Sequence, residues 1–132
     1  MISYPAIVIS KEDSFTVVNG VLDTCTVGAY RGGYFNDQYY YDSSGLIWPV
    51  VDATPVNEIG IMDKITNSKI KMKIAFGEPV RNGIDEVKKI LLTLIESDPD
   101  DLYSQERTNQ ENILRIRAAP SPKELIDAAS HL

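Results

Sequence analysis

The chain has 132 residues, of which 43% are hydrophobic, and this length and composition fit one globular domain and exclude a disordered segment. Its 13 lysine and arginine residues are outnumbered by 19 aspartate and glutamate residues, which gives a formal net charge of −6. This balance argues against a nucleic-acid partner, since affinity for a phosphate backbone depends on basic side chains. It suits a protein partner with a basic surface, although composition alone favours the simpler explanation that the charge keeps the protein soluble.

The sequence lacks the features of an exported or membrane-spanning protein. Cys25 is the only cysteine, so an internal disulfide is excluded. The N-terminus has no basic segment followed by a long apolar one, as a signal peptide requires. No stretch approaches the roughly 20 apolar residues that span a bilayer. We therefore expect a soluble cytoplasmic protein with no membrane partner.

The N-terminal half carries the patterns of β-strands. A short apolar run covers residues 6–9, and a second one, Phe15–Val18, ends at an Asn-Gly pair, the strongest two-residue signal for a β-hairpin. The pattern predicts that Phe15–Val18 pairs with a strand over Val21–Tyr30. Cys25 is then a small buried residue of that strand, and no cation adjoins it in sequence to activate its thiol.

An aromatic stretch follows, and five of the seven tyrosines lie between Tyr30 and Tyr41. The Asp-Ser-Ser-Gly sequence at residues 42–45 is typical of a turn and leads into an apolar segment, Leu46–Val51. These features predict a second antiparallel hairpin. Because Pro49 has no amide hydrogen for a strand ladder, its strand should lie at a sheet edge or carry a bulge.

The clearest strand pattern covers residues 69–76, where large apolar residues alternate with three lysines. The lysines fit the solvated face of a sheet, and a binding stripe would show the same pattern. The clearest helix pattern follows over residues 84–95, with Asn82 as its N-cap and Asp98-Pro99 beyond its end. We expect this helix to pack across the sheet and to supply the main core contact.

The C-terminal part mixes stronger and weaker signals. Asp98–Asp101 fits the start of a short exposed helix. Ile113–Ala118 alternates apolar residues with arginine, which favours a strand. The sequence therefore does not decide whether residues 102–118 form a helix or a strand. A capping box over residues 121–124 begins a last helix. The prediction is a single α+β domain over residues 1–132. Its mostly antiparallel sheet comes from the N-terminal half and residues 69–76, and two or three C-terminal helices pack on it.

No residue set for a known type of catalysis or metal binding can be assembled from the sequence. His131, the only histidine, lies next to the C-terminus, where an imidazole is poorly placed to be held for acid–base chemistry. One histidine and one cysteine do not make the usual zinc site, and no glycine pattern fits a phosphate-binding loop. We therefore expect a protein that is not an enzyme and that has no metal and no cofactor.

Carboxylates nevertheless keep a small hydrolase open as an alternative. Asp37, Asp42 and Asp52 lie near the aromatic stretch and could form an acid pair of the kind that glycosidases use. Nothing in their spacing selects them, and a turn explains Asp42 well. A homo-oligomeric structural or assembly subunit, joined through the Leu46–Val51 edge, is a further alternative.

The tyrosine-rich segment is the part of the sequence that folding explains least. Tyrosine is frequent in interface hot spots because it buries a large area and keeps a polar tip, although aromatic residues that cover a small sheet would look the same. Consecutive strand residues face opposite sides, so at least one of three successive tyrosines must point away from the core. The predicted partner-binding residues are Tyr30, Tyr34, Asp37, Tyr39, Tyr40, Tyr41, Asp42 and Trp48.

The run from Tyr39 to Val50, with its Asp-Ser-Ser-Gly turn followed by Trp48, and the later helix with Glu86–Leu91 resemble small immunity proteins of bacterial polymorphic-toxin and contact-dependent growth inhibition systems. The resemblance covers about the central half of the chain. It implies a cytoplasmic α+β protein that binds and neutralises a cognate toxin domain, often a nuclease. No individual contact residue is carried over, because the family is diverse.

Overall fold

Strand patterns dominate the first half of the chain and helical patterns the last third, and the structure follows this division. The computed structural model describes residues 1–10, 14–81, 83–97 and 109–130. The strands within these ranges are β1 Ala6–Ser10, β2 Ser14–Val18, β3 Thr24–Thr26, β4 Gln38–Asp42, β5 Leu46–Pro55, β6 Lys69–Phe76 and β7 Val80–Arg81. The helices are α1 Val27–Arg31, α2 Ile61–Thr66, α3 Ile84–Glu96, α4 Asn109–Ala118 and α5 Pro122–Ser130. The fold is α+β, as predicted.

The strands form an antiparallel sheet in the order β2-β1-β4-β5-β6-β3, with β7 also paired to β5. The hairpin predicted around the Asp-Ser-Ser-Gly turn is confirmed, since Tyr40 of β4 lies opposite Trp48 of β5. β5 is an interior strand at this point, and the bulge expected for the strand of Pro49 lies between Val50 and Asp52.

The first predicted hairpin is wrong. β2 pairs with β1 and not with the residues after the Asn-Gly pair, and β3 pairs with β6. At Val27 the chain enters α1, where the hydroxyl of Thr26 caps the helix by accepting the Ala29 amide hydrogen at 3.2 Å. β1 is buried over residues 6–9 and its backbone groups need partners on both sides. The need of β1 for a strand partner on each side therefore outweighs the local preference of the Asn-Gly pair for a hairpin.

Cys25 lies on β3 opposite Ile70 and is half-buried. Burial raises the pKa of its thiol, and a hydrogen bond with the Tyr30 backbone opposes this only in part. The thiol is therefore not activated, in line with the sequence, although the strand that was expected to continue through Ala29 gives way to α1.

The predicted helix over residues 84–95 is confirmed as α3. Its N-cap is Gly83 and not Asn82, which lies outside the described residues, as do His131 and the helix predicted from Asp98. The buried residues of its apolar stripe are Val87, Leu91, Leu94 and Ile95. Among the described residues, no helix is long and apolar enough to cross a membrane.

The strand favoured for Ile113–Ala118 is wrong, because these residues belong to α4. The buried side chains of α4 are Asn112 and Ile116, and an interval of four residues is the spacing of one helix face. Because the apolar residues of this segment alternate with Arg115 and Arg117, the same segment has the pattern of a strand in the sequence. Contacts with α3 and α5 select the helix.

The last predicted helix is confirmed as α5, with Pro122 at its first position. The Ser121 hydroxyl accepts the Glu124 amide hydrogen at 3.3 Å, as the capping box predicts. Its apolar side is buried at Leu125, Ile126 and Ala129.

No sequence pattern predicts α2, and none of its residues is buried. The Asp63 carboxylate accepts the Gly60 amide hydrogen at 3.1 Å, and Asn67 ends the helix in the left-handed conformation at φ 52°. The apolar residues Ile61, Met62 and Ile65 are exposed, so capping contacts at the two ends of α2, and not burial against the sheet, stabilise it.

The sheet is covered on both faces around β1 and β4. On one face Ile7, Ile9 and Tyr41 join the buried residues of α3, α4 and α5 in the main core. On the other face Val8 and Tyr40 form a second core with other sheet residues, with the N-terminal segment and with Leu22 before β3. α5 also lies against β1 and β2. The main core contact with the sheet, which the sequence predicts for α3 alone, is therefore shared by α3 and α5.

Candidate functional site

β4 places three successive tyrosines on alternating faces of the sheet. Tyr41 is buried in the main core, Tyr40 is buried in the second core, and Tyr39 is half-buried against the main core. The predicted alternation is correct, but the side that faces away from the main core faces a second core and not solvent. Tyr40 and Tyr41 have 0% exposure, so neither offers surface to a partner, and the prediction of direct contacts is wrong for these two.

The two buried hydroxyls differ in their partners. The Tyr40 hydroxyl accepts the Leu22 amide hydrogen at 2.9 Å, and its ring meets Phe76 edge-on with centroids 5.0 Å apart. The Tyr41 hydroxyl has no hydrogen-bond partner among the described residues. Burial raises the pKa of each phenol to about 12, so both are neutral at physiological pH.

Removing these hydroxyls should have unequal effects. Tyr40→Phe leaves the Leu22 amide without its acceptor, so it should lower the free energy of unfolding by about 1 kcal/mol. Tyr41→Phe should change it by less than about 0.5 kcal/mol or raise it, because no bond is lost. Urea denaturation followed by the fluorescence of Trp48, the only tryptophan, measures both values. Equal losses in the two variants would contradict this assignment of partners.

Asp42 is fully buried and organises the β4–β5 turn. Its Oδ1 accepts hydrogen bonds from the Ser44 amide (3.0 Å), the Ser44 hydroxyl (2.7 Å) and the Leu46 amide (3.0 Å). Its Oδ2 accepts from the Ser3 amide (3.1 Å) and the Trp48 indole (2.9 Å). Burial raises the pKa of this carboxyl, but the combined hydrogen bonds outweigh burial and hold it below its usual value.

The predicted role of Asp42 in partner binding therefore needs correction, whereas that of the partly exposed Trp48 stays a prediction. Asp42 has no exposed surface and Trp48 is half-buried, and the two side chains bond to each other. The explanation of Asp42 as a turn residue is the correct one, and its burial also removes it from any acid pair at the surface.

The remaining predicted residues, Tyr30, Tyr34 and Asp37, lie on α1 and on the turn that follows it. The Tyr34 ring meets Phe35 edge-on at 4.9 Å, which fixes Phe35 in a buried position beneath the turn. Asp37 is exposed and adopts the left-handed conformation at φ 59°, so the chain changes direction there before β4 begins.

These elements enclose a cleft of about 450 Å³ against β5, which we name the α1–β5 cleft. Its lining residues are Tyr30, Gly33, Phe35, Asn36 and Asp37 on the α1 side and Val50, Val51, Asp52 and Ala53 on the β5 side. Asp37 and Asp52 are both exposed, and no lysine, arginine or histidine is among the described lining residues. The cleft therefore presents negative charge and hydrogen-bond acceptors to a cation.

Part of this cleft could be predicted from the sequence. Tyr30 and Asp37 are predicted partner-binding residues that the structure brings together there. Asp52 is predicted only as a candidate acid beside Asp37 and not as a partner-binding residue. Asn36 and the other β5 residues of the lining, Val50, Val51 and Ala53, are not predicted as site residues from the sequence. Within the described residues, no three histidine, cysteine or acidic side chains approach closely enough to hold a metal ion.

A second surface shows apolar residues where none is expected. Ile61, Met62 and Ile65 of α2 are exposed to 75%, 68% and 72%. On β6 the three lysines are exposed and Met72 between them is buried, which fits the predicted solvated face of the sheet and equally fits a binding stripe.

Comparison of the chain with protein-family models, with curated proteins and with solved structures found no match.

Proposed function

We propose that the protein is a protein-binding module that acts as an immunity protein, binding and neutralising a cognate bacterial toxin domain in the cytoplasm. The observation that carries the proposal is the α1–β5 cleft, where two exposed carboxylates face solvent with no cation in the described lining. The resemblance of the Tyr39–Val50 run to immunity proteins points in the same direction.

The chemistry of the cleft suits a basic loop of a partner. Asp37 and Asp52 accept charge-assisted hydrogen bonds from lysine or arginine, and Tyr30 supplies apolar area with a polar tip. A net charge of −6 speeds the encounter with a basic protein. Nucleases carry basic surfaces because they bind phosphates, so a cleft that engages such a surface also blocks access of the substrate. A nuclease is accordingly the toxin class that we favour.

The test is co-expression with the product of the adjacent upstream gene. The two proteins should co-purify, and the chain should protect cells from that product. Asp37→Asn and Asp52→Asn should each weaken the complex about tenfold, because each removes one charge-assisted contact and conserves shape. Asp85→Asn on α3 makes the same change outside the cleft and serves as the control. Absence of both co-purification and protection would reject the function, and a complex insensitive to both cleft variants would reject the site.

A carboxylate hydrolase is a second candidate, since Asp37 and Asp52 line one cleft. It predicts turnover of a simple chromogenic substrate such as a nitrophenyl glycoside, abolished by either cleft variant, whereas a binding module gives no turnover. The assembly subunit has less support. Ile47 pairs with Tyr41 of β4 and with Val80 of β7, so β5 has no free edge at that point.

A further inference from the structure

The second half of β5 has a strand neighbour on one side only. Asp52–Pro55 pair with β6, and β4 pairs with β5 no further than Pro49. Residues 30–37 do not pair with β5 in the sheet, and several of them line the opposite wall of the cleft. Among the described residues, the cleft-facing edge of β5 beyond the bulge is therefore open, and the α1–β5 cleft lies along it.

The hydrogen bonds of β5 show which backbone groups face this edge. The Val56 amide donates to the Lys71 carbonyl of β6 at 2.9 Å, and in an antiparallel ladder every second residue bonds to the same neighbour. In the register of this pair, Val56, Thr54 and Asp52 face β6. Ala53 lies between them, so its amide and carbonyl point away from β6. The Ala53 amide hydrogen is accepted at 3.0 Å by Oδ1 of the adjacent Asp52.

We propose that this edge binds an extended lysine- or arginine-containing segment of the partner protein as an additional strand. The proposal rests on the proposed function and names the part of the partner that the cleft takes up. An unpaired strand edge is a template for another chain, and main-chain bonds supply the affinity. Charge complementarity selects the occupant, because Asp37 and Asp52 flank the edge and no basic residue is among the described lining residues.

Asp52 has two roles in this binding mode. Without a partner, its carboxylate accepts the Ala53 amide hydrogen, so this donor is not available to an unrelated strand. A basic side chain on the incoming strand pairs with the carboxylate, and a carbonyl of that strand then accepts the Ala53 amide hydrogen. Pro55 has no amide hydrogen and limits the edge to a few residues.

The experiment uses blocked pentapeptides of sequence Thr-Lys-Val-Lys-Thr and nitrogen-15 NMR of the whole chain. The parent peptide should give saturable shifts centred on the amides of Val51–Thr54. Methylating the central amide nitrogen of the peptide should weaken binding at least tenfold, since it removes a main-chain donor and disfavours pairing. Replacing both lysines with glutamate should abolish binding. Asp52→Asn should weaken the lysine peptide several-fold, and Asp85→Asn should leave it unchanged.

The outcomes separate this proposal from the proposed function. If the methylated peptide binds as tightly as its parent, or if the shifts lie away from Val51–Thr54, strand addition is overturned. If no peptide binds while the product of the adjacent gene does, strand addition fails and the immunity function stands. If the peptide behaves as described and that product does not bind, the edge site stands and the immunity function fails.

Discussion

Replacing Asp42 with alanine should lower the free energy of unfolding by about 3–5 kcal/mol. The carboxylate is fully buried and accepts five hydrogen bonds, so its loss leaves the Ser3 and Leu46 amides and the Trp48 indole without their acceptor. Urea denaturation followed by circular dichroism measures the change without depending on the tryptophan signal. Asp85→Ala, at an exposed position on α3, should cost less than about 1 kcal/mol and is the matched control.

The same carboxylate should give the protein a specific sensitivity to acid. Because the pKa of Asp42 is lower in the folded protein than in the unfolded chain, its contribution is present above the unfolded pKa of about 3.9 and is lost as the pH falls through the folded value. The difference in unfolding free energy between the wild type and Asp42→Asn should therefore be larger at pH 7 than at pH 3. A difference that stays the same at both pH values would show that the charge of Asp42 is not what the turn requires.

Leu91→Ala should lower the free energy of unfolding by about 2–5 kcal/mol. Leu91 lies in the middle of α3 with 0% exposure, within the main core that joins α3 to β1 and α5, so its truncation leaves a cavity there. Leu114→Ala on α4 deletes the same atoms from a side chain that is 57% exposed, and it should cost less than about 1 kcal/mol. Thermal and urea unfolding measure both values. A similar loss in the two variants would mean that α3 does not pack as described.

The elements that could be predicted from the sequence are those with one buried and one solvated face. β6 alternates lysine with apolar residues, and α3 repeats apolar residues at helical spacing, so each shows its period directly. α5 adds a capping box at Ser121, whose hydroxyl bond is present in the structure. In these elements the local pattern and the tertiary environment agree.

The errors arise where tertiary contacts decide between local alternatives. The Asn-Gly pair favours a hairpin, but β1 needs partners on both sides and takes β2. Ile113–Ala118 alternates like a strand, yet packing against α3 and α5 favours the helix α4. α2 is capped by the Gly60–Asp63 contact and by Asn67, and its apolar residues Ile61, Met62 and Ile65 are exposed, so no buried face distinguishes it.

The candidate site shows the same limit. The tyrosines of β4 look like surplus aromatic surface because a sequence does not reveal that the sheet is covered on both faces. The cleft joins residues 30–37 to residues 50–53, which are distant in the chain and come together through the β4–β5 hairpin. Tyr30 and Asp37 could be identified by composition, whereas the β5 wall depends on a bulge and an open edge that only the sheet topology defines.

Burial on both faces of β4 has a consequence for how the protein can evolve. Tyr40, Tyr41 and Asp42 hold the sheet together from inside, whereas Asp37 and Asp52 are exposed and belong to neither core. Substitution of Asp52 on β5 should change stability by only about 0.5 kcal/mol, whereas the left-handed φ of 59° at Asp37 favours Asn or Gly there. In a protein with the proposed function, variation at such exposed positions would change the specificity for a partner while the scaffold beneath them stays constant.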